Sequence, residues 1–493
     1  MARRSGVLMN ISSLPSPYGI GVMGREARAW CDRIADMGFG LWQILPTVPI
    51  GEGNSPYASP SAFAGNTLYI DPEQLLGEGL ITEREHRSAI YSGSPYTVDY
   101  DFVKKQNAIL LRAAYGRADD ALLEKVRAFG EKHPHIKNYA LYMAIKEKEG
   151  GAPFWEWKKG LDYETVINNG EEYAGETLYH LFCQYLFFTQ WASLKKYANE
   201  KGIKIFGDMP IYVSLDSADL WSGPSLFKVS GKRARPKEVA GVPPDYFSED
   251  GQLWGNPLYD WAAMKKDGFS WWKERIDHSF RLYDVLRIDH FRAFASYWAV
   301  PVGAKSAKEG KWKKGPAMEL FGAIGKVKGE IIAEDLGEFG EDVVKLLSDT
   351  GFPGMRVIQF GFDGGDSTHL PHNYERNSVA YVGTHDNNTL LGWLWEMSPE
   401  ERDRALLYCG ADKEDWKRGG KDAPACRRII ETVWRSASDT AIISYQDMCG
   451  YGSDTRMNIP GVAKDNWRYR TTVSAMNDMD SGYFRRINKL FKR

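Results

Sequence analysis

Apolar positions along this chain alternate between two periods. Gly6-Val7-Leu8-Met9-Asn10-Ile11-Ser12 is a compact apolar run that predicts a strand. From Glu26 to Met37, Ala27, Trp30, Cys31, Ile34 and Met37 recur at helical spacing, and Gly38 follows as a stop. Gly40-Leu41-Trp42-Gln43-Ile44-Leu45-Pro46 returns to strand character. Strand, helix, strand at this spacing predicts a βαβ unit and hence a parallel sheet.

The rhythm then breaks twice. Gly51-Glu52-Gly53-Asn54-Ser55-Pro56-Tyr57-Ala58-Ser59-Pro60 is turn chemistry, and residues 51–175 as a whole predict a polar, partly helical insertion subdomain. Helical stretches fall around 104–115 and 121–132. A long amphipathic helix over 176–201 is expected to turn Leu178, Leu181, Tyr185, Phe188 and Ala192 to one side and to stop at Gly202. Strand three is Ile203-Lys204-Ile205-Phe206-Gly207-Asp208. A second, irregular insertion subdomain is expected over 214–279. Strand-type runs then recur at 285–289, 330–334, 355–360, 379–382 and 442–447, with amphipathic stretches between several of them. About eight strands in β/α alternation predict an α/β fold: a (β/α)8 TIM-type barrel as one catalytic domain over 1–493, carrying two large, mainly helical or irregular insertions.

Composition removes several classes of function. Lys+Arg of 63 against Asp+Glu of 65 gives a formal charge of -2, which offers no electrostatic footprint for nucleic acid or an anionic membrane. Cys31, Cys183, Cys409, Cys426 and Cys449 are odd in number and lack CxxC spacing, so neither a disulfide framework nor a zinc site is expected. The apolar run behind Arg3 and Arg4 is too short for a signal peptide, and no run reaches membrane-span length. A soluble, cytoplasmic protein is the expectation. The 17 Trp, 26 Tyr and 22 Phe serve cores, and flat rings also stack on sugars.

Candidate chemistry sits at the strand ends. Asp208, Asp289, Glu334, Asp386 and Asp447 fall at or just past the C-terminal ends of predicted strands, the face on which TIM barrels build active sites. In Arg287-Ile288-Asp289 the charged residues are two apart, so on a strand they project together, and the cation favours an ionised carboxylate. Converging carboxylates suit either a divalent metal or glycoside cleavage by paired acids. Tyr57, Trp254, His290, His385, Asn387 and Asn388 supply hydroxyl-binding company, and phosphate-cradling glycine loops are not evident. Glycosidic chemistry is therefore favoured.

Asn54-Ser55-Pro56-Tyr57, Gly207-Asp208-Met209-Pro210-Ile211-Tyr212-Val213, Arg287-Ile288-Asp289-His290-Phe291-Arg292, Ala333-Glu334-Asp335-Leu336-Gly337 and Gly383-Thr384-His385-Asp386-Asn387 resemble the motifs of the amylomaltase family. This is the 4-α-glucanotransferase, or disproportionating-enzyme, branch of the α-amylase superfamily. Two loops are more specific to the branch than the acids: Gly241-Val242-Pro243-Pro244-Asp245-Tyr246-Phe247 and Leu370-Pro371-His372-Asn373-Tyr374. The resemblance runs from Ser12-Ser13-Leu14-Pro15 to Arg456-Met457-Asn458-Ile459-Pro460-Gly461 and Asn466-Trp467-Arg468.

The resemblance implies a retaining double displacement on α-1,4-glucans, namely maltooligosaccharides and segments derived from starch or glycogen. Asp289 would be the nucleophile, Glu334 the acid/base and Asp386 the stabiliser of the distorted ring. Asp208, Arg287, His290 and His385 match positions that contact the nucleophile or the cleaved sugar. Ser55, Tyr57 and Trp254 match the lining of the donor and acceptor subsites, with Tyr57 and Trp254 as aromatic platforms. Tyr100 matches a more distant glucan contact, and Asn458 a loop bordering the groove. Asp335, on the opposite strand face from Glu334, is expected to be a backbone or salt-bridge anchor. No metal ion, organic cofactor or nucleotide is implied. An α-glucan hydrolase, a non-catalytic glucan-binding barrel and a metal-dependent barrel enzyme are the competing readings.

Overall fold

The computed structural model describes residues 3–244, 249–337 and 340–493. Eight parallel strands form its central sheet: β1 (Arg4–Leu8), β2 (Leu41–Gln43), β3 (Lys204–Met209), β4 (Val285–Ile288), β5 (Glu330–Ala333), β6 (Gly354–Val357), β7 (Ser378–Tyr381) and β8 (Thr440–Ser444). Their spatial order is β5-β4-β3-β2-β1-β8-β7-β6. The end strands meet at a seam where Ala333 N–H donates to Pro353 O at 2.9 Å. Asp335 fastens the same seam: Oδ1 accepts Met355 N–H at 2.5 Å, and Arg356 Nη1 lies 2.9 Å from Oδ2. Its expected role as an anchor is thus what the structure shows. The barrel strands read as unbroken apolar runs because both faces are covered; all four residues of β4 are buried, Arg287 included.

Within the barrel, Gly207 on β3 lies against the ring of Tyr283, where a Cβ would come within 2.2 Å. That gap lets the Tyr283 hydroxyl reach Thr47 Oγ1 at 2.7 Å.

Between β2 and β3 the chain is mainly helical, including Tyr100–Gly116, Asp120–Lys132, Pro134–Lys148 and Ala174–Glu200. The last of these departs from the expected one-sided helix. Tyr179 through Gln184, Leu186, Phe187, Gln190, Trp191 and Leu194 are buried, whereas Ala192 is exposed. The helix packs against neighbouring helices as well as β3, so it is covered on more than one side and single-face periodicity fails. Gly202 (φ +79°) ends it as expected.

Residues after β3 are less irregular than their sequence suggests. Strands Glu238–Val242 and Gln252–Pro257 pair antiparallel, and Glu238–Val242 also pairs with Ser296–Pro301, which pairs in turn with Lys311–Lys314. This four-stranded sheet joins the segment before β4 to the segment after it, and its strand Gln252–Pro257 carries Trp254. Asp245, Tyr246 and Phe247 of the branch-specific loop lie outside the described residues.

Candidate active site

Strand register places the charges. Asp208 on β3 is paired with Arg287 on β4, so the two side chains leave neighbouring strands at one level and on one side. Arg287 Nη1 sits 2.7 Å from Asp208 Oδ2, and Nη2 sits 2.8 Å from Asp289 Oδ1. Asp208 and Arg287 are buried, while the Asp289 side chain keeps 27% of its exposure. One buried guanidinium therefore bridges two carboxylates, and the outer one faces the cleft.

Ala333 on β5 is paired with Ile288 on β4, so Glu334 and Asp289 step off adjacent strands at equal height. Glu334 is 8% exposed. Its Oε2 accepts the N–H of His290 at 2.7 Å and its Oε1 that of Leu336 at 2.7 Å. His290 takes a left-handed conformation (φ +49°), which turns the chain sharply out of β4 directly behind Asp289.

Burial pushes the Glu334 carboxyl up to about 7; Arg287 and the two backbone N–H groups oppose the rise, and the charge of Asp289 adds to it. Burial also lifts Asp289, to about 6, with Arg287 pulling it down and Asp208 and Asp386 pushing it up. The two titrate as a pair. Between about pH 6 and 7 the pair holds one proton, and the guanidinium of Arg287 beside Asp289 favours keeping that proton on Glu334.

Asp386 arrives on the turn beyond β7, where Asn387 Oδ1 accepts both the N–H and the hydroxyl of Thr384 at 2.9 and 2.8 Å. Asp386 Oδ1 accepts the Asn458 side-chain amide at 2.6 Å, and Oδ2 lies 3.3 Å from His385 Nε2. Arg456 Nη2 donates to Asp386 O at 2.6 Å, and Asn458 N–H donates to His385 O at 3.1 Å. The 456–458 segment thus grips the third acid by side chain and backbone.

Tyr57 ties the acids together. Its hydroxyl donates to Asp208 Oδ2 at 2.6 Å and stands 2.9 Å from His385 Nε2, while its ring stacks on His385 at 5.3 Å. With the tyrosine proton on Asp208, the His385 Nε2 must carry a hydrogen toward the tyrosine oxygen. Burial holds the His385 pKa down, so the ring is neutral in that tautomer. Ser55 Oγ accepts Tyr57 N–H at 3.1 Å and so shapes the turn that presents it. On the other flank, the ring of Trp254, 37% exposed, meets His290 edge-on at 4.8 Å. Burial and the nearby Arg292 charge depress His290 to about 3, so it too is neutral.

Of the residues singled out in the sequence, Asp208, Arg287, Asp289, Glu334, Tyr57, His290, His385, Asp386 and Asn458 form one connected set, with Ser55 and Trp254 at its edge. Tyr100 stands apart: it is 7% exposed, and its hydroxyl donates to Trp467 O at 2.7 Å. Asp447 is also separate from the trio. It lies in the helical turn Tyr445–Met448, and its Oδ1 accepts Leu390 N–H at 2.6 Å, at the start of helix Leu390–Glu396. Trp467 and Arg456 belong to the site but carry no local signal. Both stand in quoted motifs, yet only folding brings the Trp467 ring within 5.6 Å of Tyr57 and 6.0 Å of His385.

Among the described residues, Glu147, Glu176 and His180 form a group with metal-ligating atoms close together. Arg112 already bridges it, 3.0 Å from Glu147 and 2.6 Å from Glu176, which makes it an ion-pair network on the helical excursion. No helix among the described residues is long and apolar enough to cross a membrane.

Comparison with known proteins identifies the family. The family described as 4-alpha-glucanotransferase matches residues 9–475. A 4-alpha-glucanotransferase of Clostridium butyricum is 41% identical over 98% of this chain and 100% of its own. One from Aquifex aeolicus is 43% identical over 95% of each chain. The amylomaltase of Streptococcus agalactiae, solved in complex with acarbose, superposes with a TM-score of 0.94 at 37% identity, covering 100% of this chain and 99% of that one. The chain belongs to the 4-alpha-glucanotransferase family.

Proposed function

We propose that this protein moves α-1,4-glucan segments between maltooligosaccharides, including those derived from starch or glycogen, by two displacements at one anomeric carbon. In the first, Asp289 attacks C1 as Glu334 gives its proton to the departing 4-oxygen, leaving a β-glucosyl ester on Asp289. In the second, Glu334 takes a proton from an acceptor 4-hydroxyl, which attacks C1 and frees Asp289. Asp386, fixed by Asn458, holds sugar hydroxyls and stabilises the oxocarbenium-like ring. Trp254 offers a face for the acceptor sugar, and Tyr57 one for the sugar at the cleavage point. The reaction as written needs no metal ion or organic cofactor.

The observation that carries this reading is the contrast between two adjacent carboxyls: Asp289 has a guanidinium at 2.8 Å, whereas Glu334 is buried and its two oxygens accept backbone N–H groups. One is built to stay ionised and the other to hold a proton. Hydrolysis differs only in the acceptor. The aromatic flank at Trp254 favours a bound sugar over water, because an oriented acceptor has a large effective concentration. Five buried, unpaired cysteines support placement in a reducing cytoplasm. Incubation with maltotriose alone tests the proposal: glucose should appear with a ladder of longer oligosaccharides and little gain in reducing ends. Reducing ends rising in step with shortening chains would make the protein a hydrolase.

A further inference from the structure

The near-zero total charge conceals a local imbalance. Residues 228–237 hold five Lys/Arg and no carboxylate, and residues 305–314 hold five lysines and one carboxylate, Glu309. The fold brings the two segments together. Val302 N–H donates to Lys237 O at 3.0 Å, and Glu238–Val242 pairs with Ser296–Pro301, which pairs in turn with Lys311–Lys314. Two of the lysines are neutralised: Lys308 lies 2.9 Å from Asp250, and Lys313 pairs with Glu238. Lys232, Arg233, Lys237, Lys311 and Lys314 are exposed, and none of them has an ion-pair partner among the described residues. Like charges gathered in this way repel one another and cost the folded state stability. A basic face left without counter-charges is suited to an anion from outside.

This face borders the cleft at two points. The sheet runs in the order Lys311–Lys314, Ser296–Pro301, Glu238–Val242, Gln252–Pro257. Adjacent strands lie about 4.8 Å apart, so the basic edge strand is about 14 Å from the strand that carries Trp254. Arg292, three residues beyond Asp289, has its guanidinium 4.0 Å from the centre of the Trp312 ring, which sits between Lys311 and Lys313.

We propose that this basic face binds phosphate monoesters carried on the glucan, and that an acceptor chain reaches it by running outward over Trp254. The inference deepens the glucan-transfer reading and rests on it. An acceptor presents its terminal 4-hydroxyl to Glu334, so the remainder of its chain leaves the cleft past the Trp254 ring. Unmodified sugar units gain nothing from isolated cation heads. A phosphate monoester carries a charge of about −1.5 to −2 at neutral pH and does gain from them. Lysine is a compact point charge on a flexible stem, which suits an ester whose place along the chain varies. Nucleic acid fits less well: Trp312, the exposed ring on the edge strand, already packs against Arg292 and Trp298, so it is a poor platform for stacked bases.

Dextrins from a phosphate-bearing starch, and the same dextrins after phosphatase treatment, differ only in the ester. With maltotriose as donor, KM for the phosphorylated acceptor should be about 3- to 10-fold lower at low ionic strength, and the difference should vanish by about 0.5 M salt. A variant combining Lys232→Glu, Arg233→Glu, Lys311→Glu and Lys314→Glu should lose the preference, while transfer among unmodified maltooligosaccharides stays within about twofold. Retardation in native gels containing either dextrin reports binding without turnover and should show the same preference and the same loss. Equal KM values for wild type, a preference that survives in the variant, or a variant equally impaired on unmodified chains would each overturn the inference. So would competition by inorganic phosphate as strong as that by the phosphorylated dextrin, which would make the face a site for the free ion. Tighter binding of single-stranded RNA or anionic vesicles than of the phosphorylated dextrin would assign the face to another partner and overturn it as well. Failure of the wild type to transfer from maltotriose would instead remove the transferase reading, and the gel retardation would still decide what the basic face holds.

Discussion

Asn458 donates its side-chain amide to Asp386 Oδ1 at 2.6 Å, joining residues 72 positions apart. The contact sets which oxygen of Asp386 is free for sugar. Asp386 is the most open of the three acids, its side chain keeping 43% exposure, so it has little packing to orient it otherwise. Asn458→Ala should therefore lower kcat by about 10- to 100-fold with little change in thermal midpoint, since a single charge-assisted hydrogen bond is worth about 1.5–3 kcal/mol. Asn458→Asp sets a like charge against Asp386 and should be worse than alanine. Steady-state rates on maltotriose for the two variants decide this; equal rates would mean that the contact does not orient Asp386.

The pH profile follows from the coupled carboxyls. Activity needs Asp289 ionised, which fails as pH falls through about 6. It also needs Glu334 protonated, which fails as pH rises through about 7. A bell with a mildly acidic optimum is expected, each limb reporting the pair and not one residue. Stability should respond with a definite sign. Because the folded pKa of Glu334 lies above its unfolded value, its contribution is fully present below about 4.5 and lost as pH rises through about 7. Glu334→Gln should accordingly be more stable than wild type at pH 8, by about 1–3 kcal/mol, and show no such gain at pH 4. Denaturant titrations at the two pH values check the sign; a variant less stable than wild type at pH 8 would contradict the burial argument.

Much of this was open to sequence. The strand ends after β3, β4 and β5 could be read because apolar runs stop in charge there, and the two-residue spacing of Arg287 and Asp289 gave their contact directly. Asp335 was equally legible, by its place on the opposite strand face. Other features need three dimensions. The antiparallel sheet joining 238–257 to 296–314 is hidden because its strands are short, separated by β4 and rich in turn residues. The helix Ala174–Glu200 hides its packing because it is covered on several sides, which erases the single stripe that periodicity detects. Tyr100 illustrates the limit for site residues: its burial and its bond to the Trp467 carbonyl are set by the fold and leave no local signal.

Trp254 separates transfer from hydrolysis. Its ring is partly open and meets His290 edge-on, leaving aromatic surface at the cleft rim. Trp254→Ala removes a sugar platform and leaves Asp289, Glu334 and Asp386 in place. The transfer rate should fall about 5- to 150-fold, as expected when about 1–3 kcal/mol of stacking is lost, and the ratio of hydrolysis to transfer should rise. Quantified glucose, reducing ends and longer oligosaccharides from maltotriose measure both rates at once. A parallel fall in the two would show that Trp254 serves the donor side or the fold.

The most direct test of the proposed chemistry is to catch the sugar on Asp289. Glu334→Gln lacks the base that activates an acceptor but keeps the nucleophile, and a maltooligosaccharyl fluoride needs no acid for its leaving group, so a glucosyl ester should accumulate. Mass spectrometry of peptides from that variant should show the added oligosaccharide on the fragment containing Asp289. Asp289→Asn in the wild-type background should form no adduct and lose at least about three orders of magnitude in turnover with its fold intact. An adduct on another residue, or near-normal turnover by a folded Asp289→Asn protein, would contradict the assignment of Asp289 as nucleophile.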